Sequence, residues 1–535
     1  MKQVVALIVA IVAISTSAAT FTKDDEAIAH ILNRTGFGPR PGDIEKVRQL
    51  GIPRYIDEQL RPERIADGDA TARLSGLATI ELSSQEIAEQ FEIPQLEARR
   101  QRKADAKNPG PASGDGERAR NPIQQRANSV IVELSEQKLL RAVYSERQLQ
   151  EVLTDFWFNH FNVDARKGPA RFMLTEYERD AIRPRVVGRF RDLLGATAKS
   201  PAMLFYLDNW MSADPNGPHT DTMIRPGLGR GRFGGRVGMP ASPRPQAQKK
   251  NAPKGLNENY GRELMELHTL GVDGGYTQKD VTEVARAFTG WTIDRPRQGG
   301  GFIFNPRLHD AGRKVVLGHV IEAGGGESDG QQVLDILAKH PRTAAFIAAK
   351  LVRHFVSDTP PQALVDRVAA RFLATDGDLR EVTRTILTSP EFLSPAAYRA
   401  KVKTPFEFVV SALRASGADV QDARPLVREV QQLGMPLYMC QPPTGYKDTA
   451  DAWVNTGALV SRMNLAYRLA AGQLRGTSVN CRLQHADCKL EDADAVVSRL
   501  LGGDVSDTTR ATIAKATDGP KMMALALGAP EFQRR

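Results

Sequence analysis

The sequence predicts a mainly α-helical, multi-helix globular fold with a small antiparallel β-ribbon around residues 291–318. Many segments place apolar residues at helical spacing, as Val281, Val284 and Phe288 do. The composition, 41% apolar and 25% charged over 535 residues, is ordinary for a globular protein with a real core. The ribbon is predicted from short β-branched or aromatic runs separated by turns, namely Trp291–Ile293, Phe302–Phe304 and Val315–Leu317.

Residues 1–19 are predicted to be a signal peptide, followed by a single large helical domain over residues 24–535. Lys2 supplies a basic start, Val4–Ile14 is an apolar run, and Ser17–Ala19 offers small residues for cleavage. That run is shorter than the ~20 residues that span a bilayer. We therefore expect an exported protein, periplasmic or secreted, with no membrane span after cleavage. An uncleaved anchor is the alternative that we favour less.

The net charge of +9 is concentrated in two stretches. Residues 225–254 carry a charge of +8 and residues 99–126 carry +5, which leaves −4 for the rest of the chain. The sequence thus predicts basic low-complexity loops at 99–126 and 212–255, and we expect them to be solvated and mobile. Neither stretch has a series of aromatic residues for base stacking, so nucleic acid is not an expected partner.

The chain has three cysteines and no C-x-x-C motif, which leaves no support for a thiol-redox or zinc-ribbon site. Cys481 and Cys488 are close enough in sequence to close a small loop in an oxidising compartment. We predict that these two form a disulfide and that Cys440 is free.

The densest cluster of ionisable residues lies in the stretch from Leu256 to Ile293. Asn257 is a predicted helix cap, and Thr277 with Asp280 forms a predicted capping box for the next helix. At about 100° per residue, Tyr260 faces the core together with Leu264. Three charged residues share the opposite face, where we interpret them as a solvated ion-pair ladder, Glu258, Arg262 and Glu266.

Two ionisable residues of this helix fall nearer its apolar face. Glu263 lies at the edge of that face, where a carboxylate needs a partner from elsewhere in the fold. His268 falls beside Gly261, whose missing side chain allows another element to approach closely. Because His268 lies roughly opposite Glu266, these two cannot easily bind one ion, and the run is not H-E-x-x-H.

Two further segments carry polar residues in restricted surroundings. The run Phe156–Val163 is apolar all round except for Asn159, His160 and Asn162, so it should be buried, and its polar groups need partners. They are either structural ties or part of a site; for His160 alone a structural tie is favoured. His309, Asp310 and Lys314 lie between the last two predicted strands, either as a polar hairpin tip or as a proton-transfer pair.

Several long motifs give the chain a family resemblance. They are A-H-I-L-N-R-T-G-F-G-P from Ala29, F-W-F-N-H-F-N from Phe156 and L-N-E-N-Y-G-R-E-L-M-E-L-H-T-L-G-V from Leu256, with A-F-T-G-W-T, H-D-A-G-R-K and P-P-T-G-Y. Over nearly the whole mature chain the sequence resembles the bacterial family named domain of unknown function 1800 (DUF1800). It departs at Gly261, where relatives usually carry alanine. The resemblance implies an exported, mostly helical protein without an established activity, and a second exported protein of sulfatase-like family as a partner.

Two functional hypotheses follow. The first is an exported hydrolase-type enzyme whose catalytic residues converge in space and whose use of a divalent metal is left open; they are His160, Glu263, His268, His309 and Asp310. Supporting residues around them are Asn159, Glu258, Arg262, Glu266 and Lys314. The second hypothesis is a non-catalytic helical scaffold or binding protein for an exported or cell-surface partner, in which the same residues are buried ties. The sequence has no G-x-S-x-G and no P-loop motif.

Overall fold

The computed structural model describes residues 24–105, 122–217, 255–479 and 492–535. Helices dominate these ranges, which confirms the mainly α fold. In the first half the α-helices span Asp24–Arg34, Asp43–Leu50, Ile52–Gln59, Gly68–Leu74, Ser84–Ile87, Ile93–Asp105, Pro122–Tyr144, Gln148–His160, Leu174–Glu176, Phe190–Lys199 and Pro201–Tyr206. In the second half they span Glu258–Met265, Gln278–Ala287, Glu327–Lys339, Pro341–Phe355, Gln362–Ala374, Leu379–Leu387, Pro405–Ser416, Arg424–Gln432, Thr456–Ala470, Ala493–Leu501, Asp507–Ala514 and Gly519–Gly528.

Shorter helical turns of other types connect or extend these helices. Turns of 3₁₀ helix occur at Pro62–Arg64, Ala170–Phe172, Arg183–Arg185, Asn209–Met211 and Ala450–Ala452. Segments of π-helix, with one extra residue per turn, occur at Ala88–Glu92, Tyr177–Ile182 and Glu266–Leu270. Such segments frequently mark functional sites, and one of them carries His268.

The predicted ribbon is two separate hairpins rather than one sheet. Trp291–Ile293 pairs with Phe302–Phe304, whereas Lys314–Val316 pairs with the strand that follows it, His319–Ile321. The second pairing follows from its turn, because Leu317 and Gly318 both have positive φ, of 50° and 81°, as a tight two-residue hairpin turn requires. A third antiparallel pair, Ala418–Val420 with Thr477–Val479, was not predicted.

The apolar core joins distant parts of the chain. Its residues run from Ile28 in the first described helix to Phe532 near the end. Arg34 crosses this junction, donating through Nη2 to Ala397 O at 2.7 Å. The backbone of Lys401 exchanges hydrogen bonds with that of Arg535, at 3.2 and 2.8 Å.

Several predictions concern residues outside the described ranges. These are the signal peptide, most of both basic loops, and the Cys481–Cys488 disulfide. The first predicted loop is shorter than 99–126, because helices reach Asp105 on one side and begin at Pro122 on the other. Cys440 is free and buried, as expected. Within the described ranges no helix is long and apolar enough to cross a membrane.

Candidate functional site

The polar residues of the Phe156–Val163 segment fasten a long loop, residues 438–449, to the helix Gln148–His160. Asn159 Nδ2 donates to Tyr446 O at 2.8 Å, and Tyr446 N donates back to Asn159 Oδ1 at 2.7 Å. Asn162 Nδ2 donates to the carbonyls of Cys440 and Pro442, both at 2.9 Å. These contacts explain why the polar residues interrupt a buried apolar run: they satisfy loop backbone groups.

The glycine of the P-P-T-G-Y motif is needed for this attachment. Gly445 has a φ of +74°, and a Cβ there would lie 2.2 Å from Asn159 O. Any side chain would therefore be strained and would push the loop off the helix.

His160 links the stretch from Leu256 to Ile293 to the helix Pro341–Phe355. Lys350 Nζ donates to His160 Nδ1 at 2.9 Å, and His160 Nε2 lies 3.2 Å from His268 O. Because Nδ1 accepts, Nε2 carries the hydrogen and donates to the carbonyl. Burial lowers the pKa of His160 well below its usual value, and burial together with Lys350 lowers the pKa of His268 to about 3. Both imidazoles are therefore neutral near pH 7.

Lys350 carries an unusual amine. Burial lowers its pKa to about 8, the Asp448 carboxylate works in the opposite direction, and the Arg353 guanidinium lowers it further. An ammonium in this range still carries its charge at pH 7. A measurable fraction of it is deprotonated near neutrality, which is not so for an ordinary lysine.

His354, one helical turn after Lys350, is held by a carboxylate. Its Nδ1 lies 2.9 Å from Asp448 Oδ2. Its Nε2 is buried and has no hydrogen-bond partner among the described residues. Burial opposes ionisation of Asp448, but His354 and then Lys401 outweigh it and hold the pKa of Asp448 well below its usual range.

Lys401 contacts both the carboxylate and the backbone carbonyl of Asp448. Its Nζ lies 3.1 Å from Asp448 Oδ1 and donates to Asp448 O at 2.6 Å. It also donates to Asp358 Oδ1 at 2.5 Å. A carboxylate anchored in this way orients the imidazole that it contacts, leaving the far ring nitrogen available.

Lys350 and His354 line one cavity of about 260 Å³. The cavity is bounded by His160 from the helix Gln148–His160 and by Tyr446 and Asp448 from the loop. The same cavity is therefore lined by the neutral imidazole of His160, the amine of Lys350 and the His354–Asp448 pair. General acid–base chemistry needs this combination.

Glu263 lies at a different cavity. That cavity is about 530 Å³ and is lined also by Asn259, Lys167 and Gln441. Burial raises the pKa of Glu263, Glu266 raises it further, and Arg262 opposes both. The loop borders both cavities, but Glu263 does not line the one that holds His160.

The prediction of an ion-pair ladder on the helix that begins at Glu258 is wrong. Glu258 instead accepts from Gln278 Nε2 at 2.8 Å and from Thr282 Oγ1 at 3.0 Å. Arg262 Nη2 donates to Gln278 Oε1 at 2.7 Å. No ion pair joins Glu258, Arg262 and Glu266 within the described ranges, because the next helix supplies neutral partners first.

The geometry of this helix changes after Met265. Glu266 belongs to the π-helical segment, so the 100° spacing used to place His268 does not extend that far. Tyr276 OH donates to Glu266 Oε2 at 3.1 Å. The close approach predicted at Gly261 is confirmed, since a Cβ there would lie 2.9 Å from Val281 O.

His309 does not join the other two histidines, so the predicted convergence of all three is wrong. Its Nδ1 lies 2.9 Å from Thr289 O and its Nε2 lies 3.1 Å from Asp329 Oδ2. Lys314 Nζ donates to the same Asp329 oxygen at 2.7 Å. In the part of the chain that the structure describes, this network shares no contact with His160 or His268. The hairpin-tip interpretation is also wrong, because His309 is buried.

Asp310 is bound to an arginine rather than to the adjacent histidine. Arg286 Nε donates to Asp310 Oδ2 at 2.7 Å. Burial works against ionisation of Asp310, but the bond from Arg286 prevails and lowers its pKa. Asp310 is therefore a fixed anion in an ion pair and is poorly suited to proton transfer.

Sequence reasoning missed Lys350, His354, Asp448 and Asp329. The first two had a readable signal, since they stand four residues apart in an amphipathic helix and so share a face. Asp448 and Asp329 had none. The described ranges contain no group of three or more His, Cys, Asp or Glu side chains placed to hold a metal ion.

Comparison with known proteins gives one match. The family model described as "Protein of unknown function (DUF1800)" matches residues 30–534. Neither the curated proteins nor the solved structures contain a match.

Proposed function

The chain belongs to the DUF1800 family, and because that description assigns no activity, we propose from the cavity geometry that it is a hydrolase-type enzyme. The proposed active site is the cavity between His160, Lys350 and His354. One observation carries this proposal: the buried His354 Nε2 lacks a partner while Nδ1 is held by Asp448. An imidazole with one nitrogen anchored and the other free is the arrangement of a general base.

The proposed reaction is hydrolysis of an ester-like bond. His354 Nε2 removes a proton from a water molecule as its oxygen bonds to the substrate carbonyl carbon. Asp448 stabilises the resulting imidazolium, and the remaining N–H groups of Lys350 stabilise the negative charge on the carbonyl oxygen. The imidazolium then returns the proton to the leaving oxygen as the carbon–oxygen bond breaks, which restores the site.

Three residues predicted from sequence have supporting roles in this proposal. His160 holds Lys350, the carbonyl of His268 fixes the tautomer of His160, and Asn159 fastens the loop that carries Asp448. Seven predicted residues lie outside the proposed chemistry: Glu258, Arg262, Glu263, Glu266, His309, Asp310 and Lys314.

The test is turnover of activated aryl esters by the purified protein. His354→Gln is expected to lower kcat/KM by about 10²–10⁴-fold, the usual contribution of general-base catalysis. The exposed His319 supplies a matched control, and His319→Gln should leave kcat/KM unchanged. Thermal unfolding of both variants checks that they fold. Unchanged turnover in a folded His354→Gln variant contradicts the proposal.

A binding role is the second candidate, and one surface supports it. The helix Thr456–Ala470 exposes a run of large apolar side chains, each 42–52% exposed, namely Leu459, Val460, Met463 and Tyr467. Contiguous exposed apolar residues favour protein contact. The proposed partner is the second exported protein of sulfatase-like family. Co-elution of the two purified proteins, abolished by Met463→Lys, supports this role; independent elution of the unsubstituted proteins contradicts it.

Export is part of both proposals. The support is the basic start, apolar run and small residues of the first 19 positions. Fractionation with sequencing of the mature N-terminus tests it. A protein that keeps these residues in the cytoplasm overturns the proposed compartment and leaves the active-site proposal intact.

A further inference from the structure

The acidic and basic groups around the cavity are not balanced. All three carboxylates that line it are neutralised by cations behind them. Asp155 pairs with Lys138, Glu407 Oε1 lies 2.9 Å from Arg535 Nε, and Asp448 pairs with Lys401. None of the three lies within ion-pair distance of Lys350 or Arg353 among the described residues, although Asp448 still raises the pKa of Lys350.

Two of the cations at the cavity have no such partner. Lys350 Nζ bonds to the neutral His160, and no carboxylate lies within ion-pair distance among the described residues. Arg353 makes one long contact, from Nε to the carbonyl of Asp358 at 3.4 Å. The third lining cation, Lys447, is 72% exposed and pairs with Asp451 at 3.4 Å.

We infer that Lys350 and Arg353 form an anion-binding subsite, and that the substrates of this enzyme carry a carboxylate, phosphate or similar acidic group. That the bound anion belongs to a substrate rests on the proposed hydrolase function. The anion site itself is inferred from geometry and charge. The two side chains are three residues apart on the helix Pro341–Phe355, so their charged ends reach the same space. A planar guanidinium and an ammonium together suit an oxyacid group.

The state of Lys350 fits this assignment. Burial and the nearby Arg353 lower its pKa to about 8, although Asp448 opposes them. A bound anion would offset both unfavourable effects by pairing with the two cations. His160 cannot supply that charge, because an imidazole is either neutral or positively charged.

Calorimetric titration of the full chain with inorganic phosphate, and separately with acetate, tests the subsite directly. We expect saturable binding by the unsubstituted protein and at least tenfold weaker binding by Arg353→Gln, since a charge-assisted contact is lost. The exposed Lys339 on the preceding helix gives a charge-matched control, and Lys339→Gln should bind normally. Absence of saturable binding to either anion, or equal weakening in Lys339→Gln, overturns the subsite.

A matched pair of esters separates this inference from the proposed function. One is neutral, p-nitrophenyl acetate, and the other anionic, p-nitrophenyl hemisuccinate. We expect a higher kcat/KM for the anionic ester and at least a tenfold loss of that preference in Arg353→Gln. Turnover of both esters without a preference overturns the inference alone. Absence of turnover with intact phosphate binding overturns the hydrolase proposal and leaves the anion site standing.

Discussion

Two clusters in this protein contain the same three residue types, a histidine, an aspartate and a lysine, but they differ in their surroundings. In the first, which we call the closed cluster, His309, Asp329 and Lys314 have side chains that are 3%, 0% and 0% exposed. In the second, the open cluster, His354, Asp448 and Lys350 line a space of about 260 Å³.

The two clusters differ in how many of their polar atoms are already used. In the closed cluster both ring nitrogens of His309 have partners, and Lys314 donates to Asp329 and to the carbonyls of Asp310 and Gly312. Within the described ranges Asp329 Oδ1 is the one buried side-chain atom of this cluster that has no hydrogen-bond partner. In the open cluster His354 Nε2 has no hydrogen-bond partner among the described residues, and Lys350 Nζ bonds to His160 Nδ1. Residue types alone therefore do not define a site; unused polar atoms beside a cavity do.

The sharpest test of this comparison makes the same substitution at both aspartates. Asp448→Asn should lower kcat/KM for the aryl esters by about 10²–10⁴-fold, because His354 loses the charge that orients and stabilises it. Its kinetics and unfolding curve are measured together. An active Asp448→Asn variant would place the base elsewhere.

In the closed cluster the same change should act on stability. Asp329→Asn leaves the buried Lys314 ammonium without a counter-charge, which should cost about 3–5 kcal/mol of unfolding free energy. Asp335 on the same helix, 53% exposed and paired with Arg191, is the control, and Asp335→Asn should cost at most about 1 kcal/mol. Chemical denaturation measures both. If Asp329→Asn lowers the unfolding free energy as little as Asp335→Asn does, the closed cluster is not a structural tie.

A third prediction concerns the loop that brings Asp448 to the open cluster. Asn159→Ala removes both hydrogen bonds to the Tyr446 backbone and should cost about 1–3 kcal/mol, the usual cost of orphaned buried groups. Limited proteolysis should then cut within residues 438–449. Asn128→Ala, at an exposed site, should do neither; if it matches Asn159→Ala, the attachment is unimportant.

The last prediction is a pH dependence from Lys350. Its folded pKa, about 8, lies below the ordinary lysine value of 10.5, so the unfolded chain binds more protons between these two values. Stability therefore rises with pH across this window, and the penalty is fully present below pH 8. Three other groups near the amine have pKa values that lie below this window, namely His160, His268 and Asp448.

Denaturation at pH 7 and pH 10 measures this dependence against Lys350→Met, which lacks the amine. The unsubstituted protein should gain stability relative to the variant as the pH rises. A gap that stays constant would show that the amine has an ordinary pKa, and a gap that widens in favour of Lys350→Met would show that its pKa is raised; either result contradicts the prediction.

The sequence by itself determined the local structure. Asn257 caps its helix, and Thr277 with Asp280 forms the predicted capping box. The burial of Phe156–Val163 and the close approach at Gly261 were also readable. These features depend on contacts within a few residues or on the absence of a side chain, so spacing and residue type are enough to predict them.

The tertiary structure decided which residues form the candidate site. Lys350 and His160 are 190 residues apart, and His354 and Asp448 are 94 apart. Such pairs are set by how the helices and the loop pack, and no periodicity encodes them. His268 lies in the π-helical segment Glu266–Leu270, where the 100° spacing used to place it does not apply. Sequence spacing identified buried polar groups, and only packing determined which of them found hydrogen-bond partners.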